Sequence, residues 1–197
     1  MKIFFVRHGE TVFGKEEKFE GSSDSPLTDK GKRQIRKLGE FCKQNNVEKI
    51  ISSPLKRAKV TAEEIGKACG VKVEFSDLFR EICYGEWENK SKIKLQKLKI
   101  WKNRRKNLFK FVHPGSYNGH KGESYEMLFL RLKPFFKTIT KENKNIVIVS
   151  HTGVMRCAKK YFEHIDSNAF NSLSIQNNYV YIVEVNRNNT NASSCLV

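Results

Sequence analysis

Short apolar runs alternate along the chain with longer segments whose apolar residues recur every three or four positions. The apolar runs predict strands at residues 2–7, 49–52, 71–75, 145–150 and 179–185. The segments with helical spacing predict helices that begin at about Asp29, Leu55, Glu123 and Thr152. Because strands alternate with helices and carry continuous apolar runs, we expect an α/β fold: a three-layer α/β/α sandwich around a mostly parallel sheet.

One segment interrupts this alternation with a run of positive charge. Between residues 89 and 122 the sequence holds no acidic residue, and residues 90–110 hold ten Lys or Arg side chains. Apolar residues lie between these cations, a pattern typical of a basic amphipathic helix or a pair of helices. We therefore expect a basic helical lid at about 89–122, inserted in a single domain of residues 1–185. Residues 186–197 are expected to form a polar, loose C-terminal tail.

The charge of the whole chain is strongly positive. Its 37 Lys and Arg residues outnumber 21 Asp and Glu residues, for a formal net charge of +16. Such a charge suits a nucleic-acid partner, an anionic membrane surface or an anionic small substrate, and composition does not choose among them. No apolar run approaches the ~18–20 residues of a membrane span. The apolar start is too short for a signal peptide, and five cysteines without a Cys-x-x-Cys pair suit free thiols, so we expect a cytoplasmic protein.

Two histidines each follow a predicted strand directly. His8 stands in the run Arg-His-Gly-Glu-Thr after the first strand, and His151 stands in Ser-His-Thr-Gly after the apolar run 146–149. The carboxyl ends of parallel strands share one edge of the sheet, where α/β folds bind their ligands. We therefore expect the two imidazoles to meet at one crevice.

Charged residues at the other strand ends are expected to join the histidines. Arg57 lies in the first turn of the helix after the second strand, and Arg80 and Glu81 follow the third strand. A site with two His, two Arg and one Glu supplies a nucleophile, charge clamps and a proton donor for phosphoryl transfer. A metal site is the competing use of such a cluster, but the guanidiniums would repel a divalent cation, so no metal is expected.

The run Arg7-His8-Gly9-Glu10-Thr11 resembles the signature of the histidine phosphatase superfamily, the phosphoglycerate-mutase-like fold. Further segments that resemble the family follow in order at residues 26–31, 53–58, 81–88, 122–124 and 149–154. The resemblance covers residues 1–185. Several motifs in one order at family-like spacing are far more specific than a lone Arg-His-Gly triplet.

The resemblance implies a role for each matching residue. His8 would be the nucleophile that takes the phosphoryl group as phosphohistidine, while Arg7, Arg57 and His151 would hold the phosphate oxygens. Glu81 would protonate the leaving oxygen and then activate water. Burial would favour its protonated form and nearby cations would oppose it, and the sequence leaves that balance open. Neither a metal nor an organic cofactor is implied.

The sequence departs from the family pattern just after the nucleophile. Members often carry Trp-Asn there, whereas this chain has Phe13 and Gly14, so a phosphate-contacting amide is missing. Ser22 and Ser23 are predicted to substitute for it. Thr152, beside the second histidine, is predicted to bind phosphate as well.

Within the family, the chain looks more like a phosphatase than a mutase. Cofactor-dependent mutases carry Trp beside the glycine that matches Gly21, where this chain has serines, and the run 85–88 is similar to that of broad-specificity and α-ribazole phosphatases. This resemblance implies a metal-independent phosphomonoester hydrolase acting on a small anionic metabolite, such as α-ribazole phosphate or a phosphosugar. A phosphoglycerate mutase, a nucleic-acid-binding protein on this fold, and a catalytically inactive scaffold are the alternatives; a homodimer is possible.

The basic lid has two interpretations. It is either a solvated, Lys-rich helix face or a device that attracts a multiply anionic substrate. On the second interpretation, neutralising Lys99, Lys102, Arg104 and Arg105 raises KM for polyanionic substrates more than for a monoanionic one.

Overall fold

A six-stranded, mostly parallel sheet forms the centre of the fold in the computed structural model, which describes residues 1–176, 178–186 and 189–197. The described strands are β1 (Lys2–Arg7), β2 (Lys49–Ser52), β3 (Val73–Phe75), β4 (Ser116–Tyr117), β5 (His120–Lys121), β6 (Ile146–Ser150), β7 (Tyr179–Val185) and β8 (Thr190–Leu196). The sheet has the order β3-β2-β6-β1-β7-β8, and β4 pairs with β5 in a separate hairpin. β1, β2, β3 and β6 run parallel, whereas β7 and β8 are antiparallel to their neighbours.

Helices flank the sheet as the sequence predicts. The described helices are α1 (Val12–Lys15), α2 (Asp29–Gln44), α3 (Lys56–Cys69), α4 (Lys92–Leu95), α5 (Lys99–Lys106), α6 (Tyr125–Ile139), α7 (Thr152–Phe162) and α8 (Ser167–Ser172). Short 3₁₀ turns lie at Asp77–Phe79 and Gly85–Trp87. Within the described residues, no helix has both the length and the apolar character needed to cross a membrane.

The three-layer arrangement follows from the alternation of side chains along the strands. In β1, Phe4 and Val6 pack with the apolar residues of α2 and α3, whereas Ile3 and Phe5 pack with those of α6 and α7 on the other face. Full burial of each such side chain stabilises the fold by roughly 1.5–3 kcal/mol. The sheet therefore has a hydrophobic core on both faces, and the predicted α/β sandwich is confirmed.

Polar side chains set the starts of the helices that lead to the sheet edge. The hydroxyl of Thr28 accepts from the amide of Gly31 at 3.0 Å and so begins α2. Ser124 accepts from the amide of Met127 at 3.2 Å and begins α6 two residues later than predicted. α6 continues through Pro134 to Ile139.

The predicted lid is a pair of short helices, α4 and α5, held down by aromatic contacts. Trp101 of α5 stacks on Trp87 with ring centroids 5.7 Å apart and an interplanar angle of 22°. Leu95, Leu108 and Phe109 are buried in the same core cluster. These contacts join the basic segment to the body of the protein. Its apolar residues pack against that body, and most of its charged residues are exposed to solvent.

The expectation of a loose tail over 186–197 is wrong for residues 190–196. They form the edge strand β8, which pairs with β7 from Thr190, opposite Val185, to Leu196, opposite Tyr179. Most side chains of β8 are exposed, so backbone pairing with β7 rather than an apolar face holds the strand in the sheet. Because the segment is polar, the hydrophobic pattern of the sequence did not indicate a strand there. Residues 187 and 188 of the predicted tail lie outside the described residues.

Candidate active site

The register of two central strands brings the two histidines together. β1 and β6 pair in parallel with Arg7 opposite Ser150, so the next residues, His8 and His151, leave the sheet side by side. Their ring centroids are 5.2 Å apart. Both side chains are buried, with His8 3% and His151 1% exposed. The two histidines meet at one crevice at the carboxyl edge of the sheet, as expected from the strand order.

The hydrogen bonds of His8 define its tautomer. Nδ1 lies 2.8 Å from the carbonyl oxygen of Gly9, which only accepts, so Nδ1 carries the proton. Nε2 accepts from the Nε atom of Arg57 at 3.1 Å. Burial, followed by the charges of Arg57 and Arg7, holds the pKa of His8 well below its usual range. His8 is therefore neutral, and its lone pair lies on Nε2.

Arg57 is fixed at the start of α3 by a ring of oxygen atoms. Its Nη1 donates to the carbonyl of Ser23 at 2.6 Å and to Asp24 at 2.8 Å, and its Nη2 donates to the carbonyl of Gly21 at 2.7 Å. Asp24 also accepts from the amide of Lys56 at 3.0 Å, so one carboxylate caps the helix and orients the guanidinium. The loop 21–24 thereby sets the position of the charge beside His8.

The backbone amides of Ser22 and Ser23 are bound to a carboxylate, and the contact of these serines with phosphate stays a prediction. Their amides donate to the carboxylate of Glu88 at 2.9 and 3.1 Å, and the Ser23 hydroxyl donates to the carbonyl of Glu20 at 2.9 Å. Ser22 lines a separate cavity beside Arg80. The buried carboxylate of Glu88 requires N–H donors and takes these amides, so the two serines shape the loop that holds the guanidinium.

Glu81 is buried at the same sheet edge and held by two backbone amides. Its Oε2 accepts from Gly153 at 2.9 Å and its Oε1 accepts from Ile82 at 3.0 Å. Burial raises the pKa of Glu81, and it outweighs these hydrogen bonds and the charges of Arg57 and Arg7, which lower it. The balance that the sequence leaves open is therefore decided by desolvation.

His151 lies behind His8 and is held by a serine. Its Nε2 lies 2.8 Å from the hydroxyl of Ser53. Within the described residues, its buried Nδ1 has no hydrogen-bond partner. Burial, followed by the charge of Arg57, holds the pKa of His151 well below its usual range. One ring nitrogen of His151 is therefore bound to Ser53, and the other, Nδ1, lies outside the hydrogen-bond network of the described residues.

A cavity of about 480 Å³ opens above these residues. Its lining includes five of the predicted site residues: Arg7, His8, Arg57, Glu81 and Thr152. The enclosed His151 and the two serines are not part of this lining. The lid contributes Lys92, Gln96, Trp101 and Arg104, and the lining also includes Tyr84, Tyr125 and Arg156. The chamber thus has a polar floor beneath an aromatic and cationic rim.

Several residues of this network were missed from the sequence. Glu20 accepts from Thr11 at 2.6 Å and from the Ser25 hydroxyl at 2.7 Å, and its carboxylate lies 3.8 Å from Arg57. Asp24, Ser53 and Glu88 hold the guanidinium, the second imidazole and the loop. The sequence signal of Glu20 and Asp24 is a group of small and acidic residues at 20–25, which is also typical of an exposed turn. Ser53 and Glu88 lie in the segments 53–58 and 81–88 that resemble the family.

The fold and the site define an α/β protein with paired histidines at the ends of neighbouring parallel strands. The chain belongs to the histidine phosphatase superfamily (branch 1), whose family model matches residues 3–195.

Comparison with individual proteins gives one partial relative and several structures of the same fold. The probable phosphoglycerate mutase GpmB of Salmonella choleraesuis (strain SC-B67) is 42% identical over 90 residues, which are 46% of this chain and 42% of that protein. The match thus spans less than half the length of this curated relative.

Two solved structures illustrate the shared fold. A putative alpha-ribazole-5'-P phosphatase from Escherichia coli has a TM-score of 0.85 at 19% identity, over 100% of this chain and 96% of that one. A mycobacterial glucosyl-3-phosphoglycerate phosphatase has a TM-score of 0.79 at 19% identity, over 93% and 90% of the two chains.

Proposed function

We propose that the protein hydrolyses small anionic phosphomonoesters through a phosphohistidine at His8, without a metal or an organic cofactor. The observation that carries this proposal is that a neutral imidazole and a buried carboxyl group share one cavity. His8 is neutral with its lone pair on Nε2, and burial raises the pKa of Glu81, which favours the acid form of its carboxyl group. A neutral nucleophile and a protonated acid are what phosphoryl transfer to an enzyme nitrogen requires.

In the first step, the phosphate group of the ester enters the floor of the cavity. Arg7 and Arg57 would neutralise its oxygens, and His151 and Thr152 would complete the cradle. The Nε2 atom of His8 attacks phosphorus, the bond from phosphorus to the ester oxygen breaks, and Glu81 gives its proton to that oxygen. Arg57, released from Nε2, keeps its charge beside the transferring group.

In the second step, water releases the phosphoryl group. The Glu81 carboxylate formed in the first step accepts a proton from water, whose oxygen attacks phosphorus as the bond to Nε2 breaks. Inorganic phosphate leaves, and both residues return to their starting protonation states. The guanidiniums of Arg7 and Arg57 supply the positive charge for both steps, so the cycle needs no further cation.

The size and charge of the cavity support a small phosphorylated metabolite as substrate. A volume of about 480 Å³ suits one small ligand rather than a polymer. The two phosphatases of the same fold act, by their names, on alpha-ribazole-5'-P and on glucosyl-3-phosphoglycerate. Each of those compounds is a small phosphate ester, which is the substrate class proposed here.

A mutase is the second candidate, and one observation favours it. The 42% identity over 90 residues is to a protein named a probable phosphoglycerate mutase. A mutase would pass the phosphoryl group from the same nucleophile to a second hydroxyl of the substrate. It would therefore depend on a bisphosphoglycerate primer and would release no net phosphate.

The test is phosphate release from a panel of esters, with wild type compared with His8→Ala. The panel holds p-nitrophenyl phosphate, 3-phosphoglycerate, fructose bisphosphates, nucleotides and α-ribazole phosphate, with EDTA present throughout. Turnover that disappears in His8→Ala supports the proposal. A variant that keeps the wild-type rate overturns the assignment of the nucleophile.

Two further results distinguish the alternatives. Isomerisation of 3-phosphoglycerate that needs a primer and yields no free phosphate would identify a mutase. Salt-sensitive binding of nucleic acid that survives in His8→Ala, without turnover of any ester by wild type, would identify the basic surface as the functional one.

A further inference from the structure

The ten cations of the lid segment 90–110 fall into two groups by exposure. Eight of them are exposed: Lys90, Lys94, Lys97, Lys99, Lys102, Arg105, Lys106 and Lys110. Lys92 and Arg104 are half-buried, and both line the cavity above His8. Of the four cations expected from the sequence to select substrate, only Arg104 faces this chamber.

Lys92 occupies the start of α4, the first helix of the lid. Its Nζ lies 5.7 Å from the centre of the Phe19 ring. Burial, followed by the charge of Arg7, lowers the pKa of Lys92, and the charge of Arg104 acts in the same direction, whereas the carboxylates of Glu17 and Glu20 raise it. Lys92 thus feels a guanidinium from the cavity floor and another from the lid.

Arg104 is aimed into the same space by an aromatic platform and a histidine. Its guanidinium carbon lies 4.8 Å from the centre of the Trp101 ring and 5.4 Å from that of Phe19. Its Nε donates to Nε2 of His113 at 3.4 Å, and Nδ1 of His113 lies 2.8 Å from the carbonyl of Glu123. Since that carbonyl only accepts, His113 donates from Nδ1 and accepts at Nε2, and Arg104 keeps both terminal nitrogens for a ligand.

Neither cation has an anionic partner of its own. Across the described ranges 1–176, 178–186 and 189–197, neither Lys92 nor Arg104 takes part in an ion pair. Two carboxylates of the same cavity act on Lys92: Glu20 is already held by Thr11 and Ser25, and Glu17 is exposed to solvent. Two half-buried like charges facing one chamber repel each other, and an anion between them would relieve that repulsion.

We propose that Lys92 and Arg104 form a second anion subsite, which binds a carboxylate or a second phosphate carried by the same substrate molecule. This inference rests on the proposed function, because it assigns the reacting phosphate to the floor beside His8. It narrows the substrate class to phosphomonoesters with two anionic groups, and Trp101 and Phe19 supply the apolar wall beside the second one.

The test compares Lys92→Met and Arg104→Met with Lys102→Met and Arg105→Met, two exposed positions on the same lid. Each variant is assayed with p-nitrophenyl phosphate, 3-phosphoglycerate and a fructose bisphosphate. Lys92→Met and Arg104→Met are expected to raise KM about tenfold for the doubly anionic esters, a loss typical of one charge-assisted contact. The increase for p-nitrophenyl phosphate should be at least about fivefold smaller, and kcat should change little by comparison.

Each outcome decides the inference. A larger effect with 3-phosphoglycerate identifies a carboxylate as the second anion, and a larger effect with the bisphosphate identifies a phosphate. An equal rise for every ester, or the same rise in the two control variants, overturns the subsite. Thermal unfolding of each variant reports whether it retains the wild-type fold.

Failure of the proposed function is recognised separately. Calorimetric binding of the same esters is measured in the His8→Ala background, with and without Arg104→Met. If wild type turns over no ester, the proposed function fails, while weaker binding of doubly anionic esters upon Arg104→Met would still support the subsite. Binding unaffected by Arg104→Met overturns the subsite whatever the turnover.

Discussion

The Nε atom of Arg57 donates to Nε2 of His8 across 3.1 Å, so the charged guanidinium group lies beside the nitrogen that carries the nucleophilic lone pair. This contact joins two functions. It disfavours a proton on Nε2, and it places a guanidinium where the phosphoryl group arrives. The remaining nitrogens of Arg57 are bound by oxygens of the loop 21–24, which fixes the contact in place.

Arg57→Lys is expected to reduce kcat/KM by about 10²-fold or more. Lysine keeps the charge but has no planar fork, so it cannot bond His8, the carbonyls of Gly21 and Ser23, and Asp24 at once. Steady-state kinetics on any ester that wild type hydrolyses would measure the loss. Lys59→Arg, at an exposed position of α3, is the matched control. A variant within about twofold of wild type would show that charge alone suffices.

Glu81 and His8 are expected to set opposite limbs of the pH profile. The raised pKa of Glu81 means that its acid form persists to higher pH than in an ordinary glutamate, so activity falls as pH rises through that value. The lowered pKa of His8 means that its neutral form persists to lower pH, so activity falls only below the ordinary histidine range. The profile of kcat/KM from about pH 4 to 9 would show both limbs.

Glu81→Gln provides the test of the first limb. The variant should lose the alkaline limb and about 10²-fold or more in rate with alkyl phosphates. It should lose much less with p-nitrophenyl phosphate, whose leaving group needs no proton. Equal losses for both esters would argue that Glu81 does not protonate the leaving oxygen.

Gly153→Ala is expected to impair the acid without removing it. A β-carbon at this position would overlap Oε1 of Glu81, the oxygen that accepts from the Ile82 amide, beside Oε2, which accepts from the amide of Gly153. The carboxyl group must therefore move, and we expect kcat to fall at least about tenfold, since small displacements of a reacting group are costly. A shifted alkaline limb in the pH profile would support this reason, whereas unchanged kinetics would contradict it.

Glu88→Ala is expected to destabilise the loop 21–24, whose carbonyl oxygens hold Arg57. Its carboxylate accepts from the amides of Ser22, Ser23 and Tyr84, and the last of these bonds is 2.8 Å long. Removing a common acceptor of buried donors costs roughly 1–3 kcal/mol for each group left unpaired. Urea unfolding would measure the loss. Glu86→Ala, at an exposed carboxylate two residues away, should have little effect on the free energy of unfolding.

The meeting of His8 and His151 was predictable from sequence because two physical rules suffice for it. Apolar runs identify central parallel strands, and the residues after parallel strands emerge at one edge. The six-stranded sheet and its two helical layers followed from the same periodicities. The strand in the C-terminal tail could not be predicted in this way, since an edge strand such as β8 is held by backbone hydrogen bonds, which leave no pattern of apolar side chains in the sequence.

The orientation of the lid cations was not predictable, because it depends on contacts between residues distant in sequence. Lys92 and Lys94 are equivalent by charge and spacing, yet only Lys92 faces the cavity. The stacking of Trp101 on Trp87 and the bond from Arg104 to His113 set the rotation of α5. The contacts of the Ser22 and Ser23 amides were not predictable for a similar reason, since their partner, Glu88, lies in another loop.

The eight outward-facing cations of the lid have a kinetic consequence. They are exposed on the lid whose inner side lines the chamber, so their field extends into solvent over roughly a Debye length, about 10 Å at 0.1 M salt. An approaching dianion is accelerated toward the lid, and the encounter rate declines as ionic strength rises. Outward cations thus govern how often a dianion arrives, and the inward pair governs how long it remains.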